Sequence, residues 1–337
     1  MFKKVTSERH AHSRFSDLIG IDFSTTSTKV VRLKQDTEGL TLMGFDMLPP
    51  INFKEKAVRL PIVRTLSSNY CCLAYTGSQS VVRMIHTYID AEVEVLPDLK
   101  IRESLNVAEE FRVSAQLIKR GQGREDSSFL AAAIPNDDAK HLMELFPSGP
   151  PSPLSLEISG LSFVHAFLHA RGKECAGSTV CLLDAGETVC HCVFLTNGLV
   201  TRVGKMPVGA KMLRKKVAKD LGVDDELATR ILEDASINIS SSISELLAPF
   251  IKQLAISKEF IERHQGGRIS QVYVSGGLSL FPSWGIEVGQ LLGMSCQMWS
   301  PLERIESESA GIPVDKLNQV TRFSGAIGAA IGGLEAQ

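Results

Sequence analysis

Apolar and polar positions alternate in short bursts at two places along the chain. In the first, Leu18, Ile19 and Ile21 lead to Asp22. The hydroxyl cluster Ser24, Thr25, Thr26 and Ser27 follows, and then Lys29 and the apolar run Val30, Val31 and Leu33. This spacing predicts strand, tight turn, strand, and "EGLTLMGFDMLP" supplies a third strand-like piece. In the second, "TVCLLDAGETVCHCVFLTNGLVTRVGKMPVG" repeats the order: strand, turn at Asp184, strand, Asn197-Gly198, strand. Asn-Gly between apolar runs favours a two-residue hairpin, because both residues tolerate positive φ. Two Asp-tipped meanders predict a duplicated fold with a site between the copies.

Helical periodicity follows each meander. Ile158, Leu161, Val164, Phe167 and Leu168 share one face, as do Met212, Leu213, Val217 and Leu221, with Gly222 placed to stop that helix. A longer amphipathic stretch, "ISELLAPFIKQLAISKEFIER", carries Pro249 either near its first turns or at a kink. "ISQVYVSGGLS" reads as a strand running into Gly276-Gly277, and "FSGAIGAAIGGL" as a small-residue helix suited to close packing. Between the halves, an acidic helix from Ile101 to Phe111, two strands and a helix from Asp137 to Phe146 predict a small inserted α/β subdomain. The segment Pro147 to Pro153 reads as a stiff return linker. The expected organisation is a tail (1–15), the first part of one lobe (16–92), the insertion (93–150) and a linking helix region (151–178). The second lobe (179–320) and a C-terminal helix packing back on the first lobe (321–337) complete it.

Composition narrows the function classes. With 337 residues, 44% hydrophobic and 22% charged, the chain fits two globular lobes. A net charge of −2 gives no electrostatic reason for nucleic acid or an anionic membrane as the main partner. No apolar stretch approaches the roughly 20 residues that span a bilayer. The basic start (Lys3, Lys4, Arg9, His10, His12, Arg14) lacks the apolar core of a signal peptide and reads as a frayed tail. Seven cysteines, several inside apolar runs, fit free buried thiols in a reducing cytoplasm. Cys190-His191-Cys192 has the look of a metal motif. On a strand, however, both cysteines face one side and His191 the other, and no second ligand pair follows.

Two facing Asp-tipped turns suit phosphate chemistry through a metal. A carboxylate holds hydrated Mg²⁺ that bridges phosphate oxygens, while turn N–H groups and hydroxyls donate to those oxygens. Asp22 with Thr25, Thr26 and Ser27 is one such set, and Asp184 with Gly186 and Thr188 the other. Gly276-Gly277 lets backbone approach a nucleotide. Each turn taken alone reads first as a strand-end Asp capping a hairpin, and Lys29 reads either as a phosphate partner or as a solvated strand residue.

In their order, Gly20-Ile21-Asp22 through Lys29-Val30-Val31, then Leu183-Asp184-Ala185-Gly186 with the Pro207-Val208-Gly209 turn, then Val274-Ser275-Gly276-Gly277 resemble a known motif set. It is that of the actin-like ATPase superfamily, and within it the PilM family of type IV pilus assembly proteins, relatives of FtsA. "GSQSVVRMI" and "QMWSPLERI" extend the resemblance, which runs from Ser16 to the end of the chain. It implies an α/β, actin-like (ribonuclease H-like) two-lobed fold, with duplicated mixed β-sheet domains and a small inserted α/β subdomain. It implies ATP and Mg²⁺ as cofactors. Asp22, Thr25, Thr26, Ser27, Lys29, Asp184, Gly186, Thr188, Gly209, Gly276 and Gly277 would contact nucleotide, Asp22 and Asp184 would hold Mg²⁺ through water, and Glu157 would orient an attacking water. The implied role is a cytoplasmic scaffold at the bacterial inner membrane. It would bind the cytoplasmic N-terminal segment of a PilN-like membrane protein, in a groove between the insertion and the main fold, with ATP as a conformational switch. A pilus motor ATPase and self-association stay open as further contacts.

Departures from the family pattern bear on turnover. Ser24 stands where the family has Gly, and Glu187 adds a negative charge beside the phosphates, costing about 1–2 kcal/mol unless compensated. "ELATRILED" offers Thr229, Arg230 and Leu232 where relatives carry a Glu and a Lys toward the ribose. Lys211, Arg214, Lys215 and Lys216 read as a solvated basic face. These features predict at most a weak ATPase. They leave a nucleotide-free interaction module, and an active ATPase or small-molecule kinase, as alternatives.

Overall fold

The computed structural model describes residues 15–53, 55–56, 58–90, 95–122, 125–234, 237–265, 268–307 and 317–336. The basic start of the chain therefore lies outside the described residues. Three sheets organise the rest. In the first half, β1 (Asp17–Phe23), β2 (Thr28–Gln35) and β3 (Leu40–Leu48) form an antiparallel meander, and β4 (Tyr70–Tyr75) and β8 (Ser152–Ile158) add parallel to β1. The second half repeats this with β9 (Thr179–Ala185), β10 (Cys190–Thr196), β11 (Leu199–Met206), β12 (Ile269–Ser275) and β13 (Cys296–Met298). The orders β3-β2-β1-β4-β8 and β11-β10-β9-β12-β13 are the same, so the duplication is visible in topology. Asn197 and Gly198 turn the hairpin with φ of 54° and 74°, the left-handed pair that a type I′ turn requires.

A third sheet, in the order β5-β7-β6, is the small subdomain: β5 (Val81–Thr87), β6 (Phe111–Lys119) and β7 (Ser127–Pro135), with α1 (Asp98–Leu105) and α2 (Asn136–Glu144). It therefore starts at β5, ahead of the boundary expected at 93. β5 pairs with β7 along its whole length, which the apolar pattern of a single strand does not reveal. Helix α1 is also shorter than expected, because Asn106 adopts φ 55° and ends it. Residues 305–307 form β14, which pairs with β3. The chain thus returns to the first sheet before 321, giving the outer strand of that sheet a hydrogen-bonding partner.

Helices α4 (Ala210–Leu221), α5 (Asp225–Asp234), α6 (Ser240–Gln265) and α7 (Pro282–Leu292) pack on the second half. Pro249 lies well inside α6 rather than at its start. Between the halves, α3 (Ser159–Arg171) and α8 (Ser324–Glu335) pack against each other in one shared core, with Phe163, Phe167, Ile327 and Ile331 buried. The closeness of α8 depends on its small residues. A Cβ on Gly20 of β1 would lie 1.8 Å from the Ala326 carbonyl oxygen, and one on Gly328 would lie 1.9 Å from that of Ser162. Gly328→Ala is expected to cost at least about 3 kcal/mol, since backbone on both sides would have to move. Urea unfolding measures this, and a change below about 1 kcal/mol would contradict the packing.

Candidate functional site

The two Asp-tipped turns meet in the cleft between the halves. Asp22 and Asp184 are each the next-to-last residue of their strands, β1 and β9, and each carboxylate faces the first residue of a central helix. Ser159, opening α3, donates to Asp22 Oδ1 at 2.6 Å, and Ser324, opening α8, donates to Asp184 Oδ1 at 3.0 Å. Helix N-termini favour nearby negative charge, so the placement offsets part of the cost of burying the two carboxylates. Sequence reading missed the two serines, although a Ser at the start of each predicted helix was the available signal.

Lys29 belongs to the site rather than to a solvated strand. It is buried, with its ammonium 3.4 Å from Asp22 Oδ2 and 3.0 Å from Ser24 Oγ. The Ser24 amide donates to the Ser27 carbonyl at 3.0 Å and its hydroxyl to the same oxygen at 2.9 Å. No residue between Asp22 and Lys29 has positive φ. The conformational reason for Gly at position 24 is therefore absent, and the turn closes with Ser. Across the cleft, Thr25 and Thr188 join through their hydroxyls at 2.9 Å. Thr26, Ser27, Gly186 and Gly277 also line it.

Glu187 lines the cleft, but its charge is met. Arg214 of α4 grips both carboxylate oxygens, with Nη2 on Oε1 and Nη1 3.3 Å from Oε2. Arg214 thus supplies the compensation on which the expected cost of Glu187 depended, and it does not belong to the solvated basic face. The start of α4 holds the same turn from behind: Ala210 N donates to Gly186 O at 3.1 Å and Lys211 N to Glu187 O at 2.9 Å. Gly209 does not line the cleft. Its place is structural, since a Cβ there would lie 2.4 Å from Glu187 O. Gly276 has φ 89° with Ala185 O 2.5 Å from where its Cβ would be, so only glycine fits at that strand end.

Burial raises the Asp184 carboxyl from 3.8 to about 6; Ser324 opposes this, the Asp22 charge adds to it, and Lys29 opposes it. His191 is on the opposite face of β10 from the buried thiols of Cys190 and Cys192, as the strand reading of the Cys-His-Cys run expects. Burial, with Lys205 beside it, lowers His191 to about 3, and its Nε2 has no hydrogen-bond partner. A neutral ring nitrogen without a partner, a lysine, hydroxyls and two carboxylates fit a Mg²⁺-bound phosphate. The cleft measures about 60 Å³, well below the ~300 Å³ at the lower end of small-ligand sites. A whole nucleotide enters only if the Thr25–Thr188 contact opens.

Some expected residues stand elsewhere. Glu157 is not on a linking helix and does not reach the cleft, because β8 runs on to Ile158 before α3 begins. Its Oε2 lies 3.7 Å from His165 Nε2, in a separate groove beside the small subdomain. Thr229, Arg230 and Leu232 also miss the cleft lining, and Arg230 pairs with Glu226 on its own helix. Arg322, which the sequence reading did not single out, does line the cleft.

A scan against models of known protein families finds no match, and a search of curated proteins finds none. Among solved structures, the chain resembles one titled "PilM-PilN type IV pilus biogenesis complex". The TM-score is 0.75 at 17% identity, covering 95% of this chain and 99% of that one. The ethanolamine utilization protein EutJ from Carboxydothermus hydrogenoformans follows at 0.45 and 15%, covering 94% and 89% of the two chains. An archaeal actin homolog gives 0.42 and 12%, covering 94% and 98%. No helix among the described residues is long and apolar enough to cross a membrane. The chain has the two-lobed actin-like fold, in the form seen in the PilM-PilN structure.

Proposed function

We propose that the protein is a PilM-like scaffold of a type IV pilus or related secretion platform, held at the cytoplasmic face of the inner membrane by a PilN-like membrane protein. The observation that carries this is the end-to-end likeness to the chain of the PilM-PilN structure. A second site separate from the cleft supports it. The groove between β7, α2 and the β8–α3 corner, about 380 Å³ and largely apolar, is of a size to take a peptide segment. ATP with Mg²⁺ is the ligand of the cleft. Asp22 and Asp184 would hold the metal through water, Lys29 and the threonines would contact phosphate, and lobe opening would admit the nucleoside. Binding and release then set the angle between lobes and tune partner affinity. Hydrolysis is a weaker expectation, because Glu157 stands outside the cleft.

Membrane fractionation tests the partner reading. The protein is expected to sediment with inner membranes when the PilN-like protein is present and to move to the supernatant when that gene is deleted. Equal sedimentation in both strains would refute it.

A further inference from the structure

Lys205, near the end of β11, reaches out of the second lobe. Its ammonium donates to the Gly77 carbonyl, to Ser80 Oγ at 3.3 Å and to the Ser78 carbonyl at 3.4 Å. All three acceptors belong to one turn, residues 77–80, and Gly77 and Ser80 are buried in it. That turn stands at a junction. Thr76, just before it, lines the cleft, and Tyr75 donates through its hydroxyl to Asp138 of α2. Val81, just after it, opens β5 of the small subdomain. β5 also lies against β11, with Val82 and Met84 of one strand and Val203 of the other packed on the same core. The small subdomain is inserted in the first half of the chain, yet it is held to the second.

Lys205 shares its supports with the contact that closes the cleft. Thr188 sits in the turn between β9 and β10, and Lys205 is the cross-strand partner of His191, three residues further along β10. On the other side, Thr25 sits in the turn between β1 and β2. β4 runs beside β1 into Thr76, whose amide donates to Phe23 O at 2.9 Å. The Thr25–Thr188 bond and the Lys205 contact therefore join the same two sheets. Close-packed sheets move as units, so lobes that part at one bridge load the other. Gly77 O also accepts from Ser80 Oγ at 2.7 Å and from Ser80 N at 3.3 Å, so the turn stays satisfied when the lysine leaves. We propose that Lys205 is a latch: in the closed cleft it ties the small subdomain to the second lobe, and nucleotide, by parting the lobes, withdraws it and frees the subdomain to turn. The proposal rests on the nucleotide reading of the cleft above and names how the cleft acts on the subdomain.

Ser78 and Lys205 are both exposed, while six of the seven cysteines are buried and Cys296 is half-buried. A bis-methanethiosulfonate about as long as a lysine side chain, added to the Ser78→Cys, Lys205→Cys double variant with the parent chain as control, tests the latch. Crosslinking is expected in the empty protein, and its yield should fall about threefold or more with saturating Mg²⁺·ATP. The crosslinked protein is expected to bind Mg²⁺·ATP about tenfold more weakly, and reduction should restore binding. Lys205→Met, which cannot latch, is expected to bind Mg²⁺·ATP about threefold more tightly than wild type, because the open state no longer has to break the contact. Weaker binding by that variant would make Lys205 a phosphate contact and overturn the latch. Crosslinking indifferent to Mg²⁺·ATP, or a crosslinked protein that binds it normally, would overturn the latch and leave nucleotide binding standing. No Mg²⁺·ATP binding by wild type would overturn both, while membrane fractionation tests the partner independently.

Discussion

Asp184→Asn is expected to make the protein more stable at pH 7.5 while abolishing its binding of Mg²⁺·ATP. The Asp184 carboxyl has its pKa raised from 3.8 to about 6, chiefly by burial. The folded chain therefore keeps a proton there that the unfolded chain gives up near pH 4. The associated stability is fully present below about pH 4 and is lost as pH rises through about 6. Roughly two pKa units correspond to at most about 3 kcal/mol, and partial solvent contact at the cleft brings the expected gain to about 1–3 kcal/mol. Asn removes the charge and keeps an acceptor for the Ser324 hydroxyl. Thermal unfolding should show the variant a few degrees higher at pH 7.5, with the difference vanishing near pH 4. Calorimetry should show no Mg²⁺·ATP heat from the same variant beside micromolar binding by wild type, because an amide is a poor substitute for a carboxylate toward hydrated Mg²⁺. A variant that binds normally would remove Asp184 from the site. One that melts lower at pH 7.5 would contradict the buried-charge account.

Arg214→Ala is expected to weaken Mg²⁺·ATP binding about tenfold, and adding Glu187→Gln should restore it. Glu187 lines the cleft and Arg214 holds both its oxygens, so the pair presents little net charge to an incoming phosphate. Without the guanidinium the carboxylate stands alone, and the repulsion of about 1–2 kcal/mol corresponds to that factor. Both side chains are 23% exposed, so the pair itself adds little to stability and the single variant should unfold within about 1 kcal/mol of wild type. Calorimetry on the two single variants and the double variant closes the cycle. If Glu187→Gln fails to rescue, Arg214 acts on nucleotide by some other route.

The parts that could be read from sequence are those held in local pattern. Asp22 and Asp184 announce themselves because each tips a meander and the meanders match, and strand alternation alone turns His191 away from Cys190 and Cys192, though not into the cleft. What sequence hides depends on tertiary register. Arg214 looks like any other cation on the outer face of α4 until packing brings that helix under the second turn. Glu157 was misplaced because "LEISG" gives no sign that β8 continues to Ile158 before the helix begins. The membership of β5 in the small sheet and of β14 in the first sheet is likewise a matter of which edges lie adjacent in space. Ser24 shows the reverse case: an expected defect that the backbone absorbs without positive φ.

The position of α8 has a consequence for how the protein is made. Gly20 in the first strand packs against Ala326 near the end of the chain, and β14 closes the same sheet from residues 305–307. During synthesis the face of β1, β2 and β4 that α8 covers therefore stays open until residues 324–335 have left the ribosome. The second lobe, made between those events, has a core of its own to close around before that face is covered.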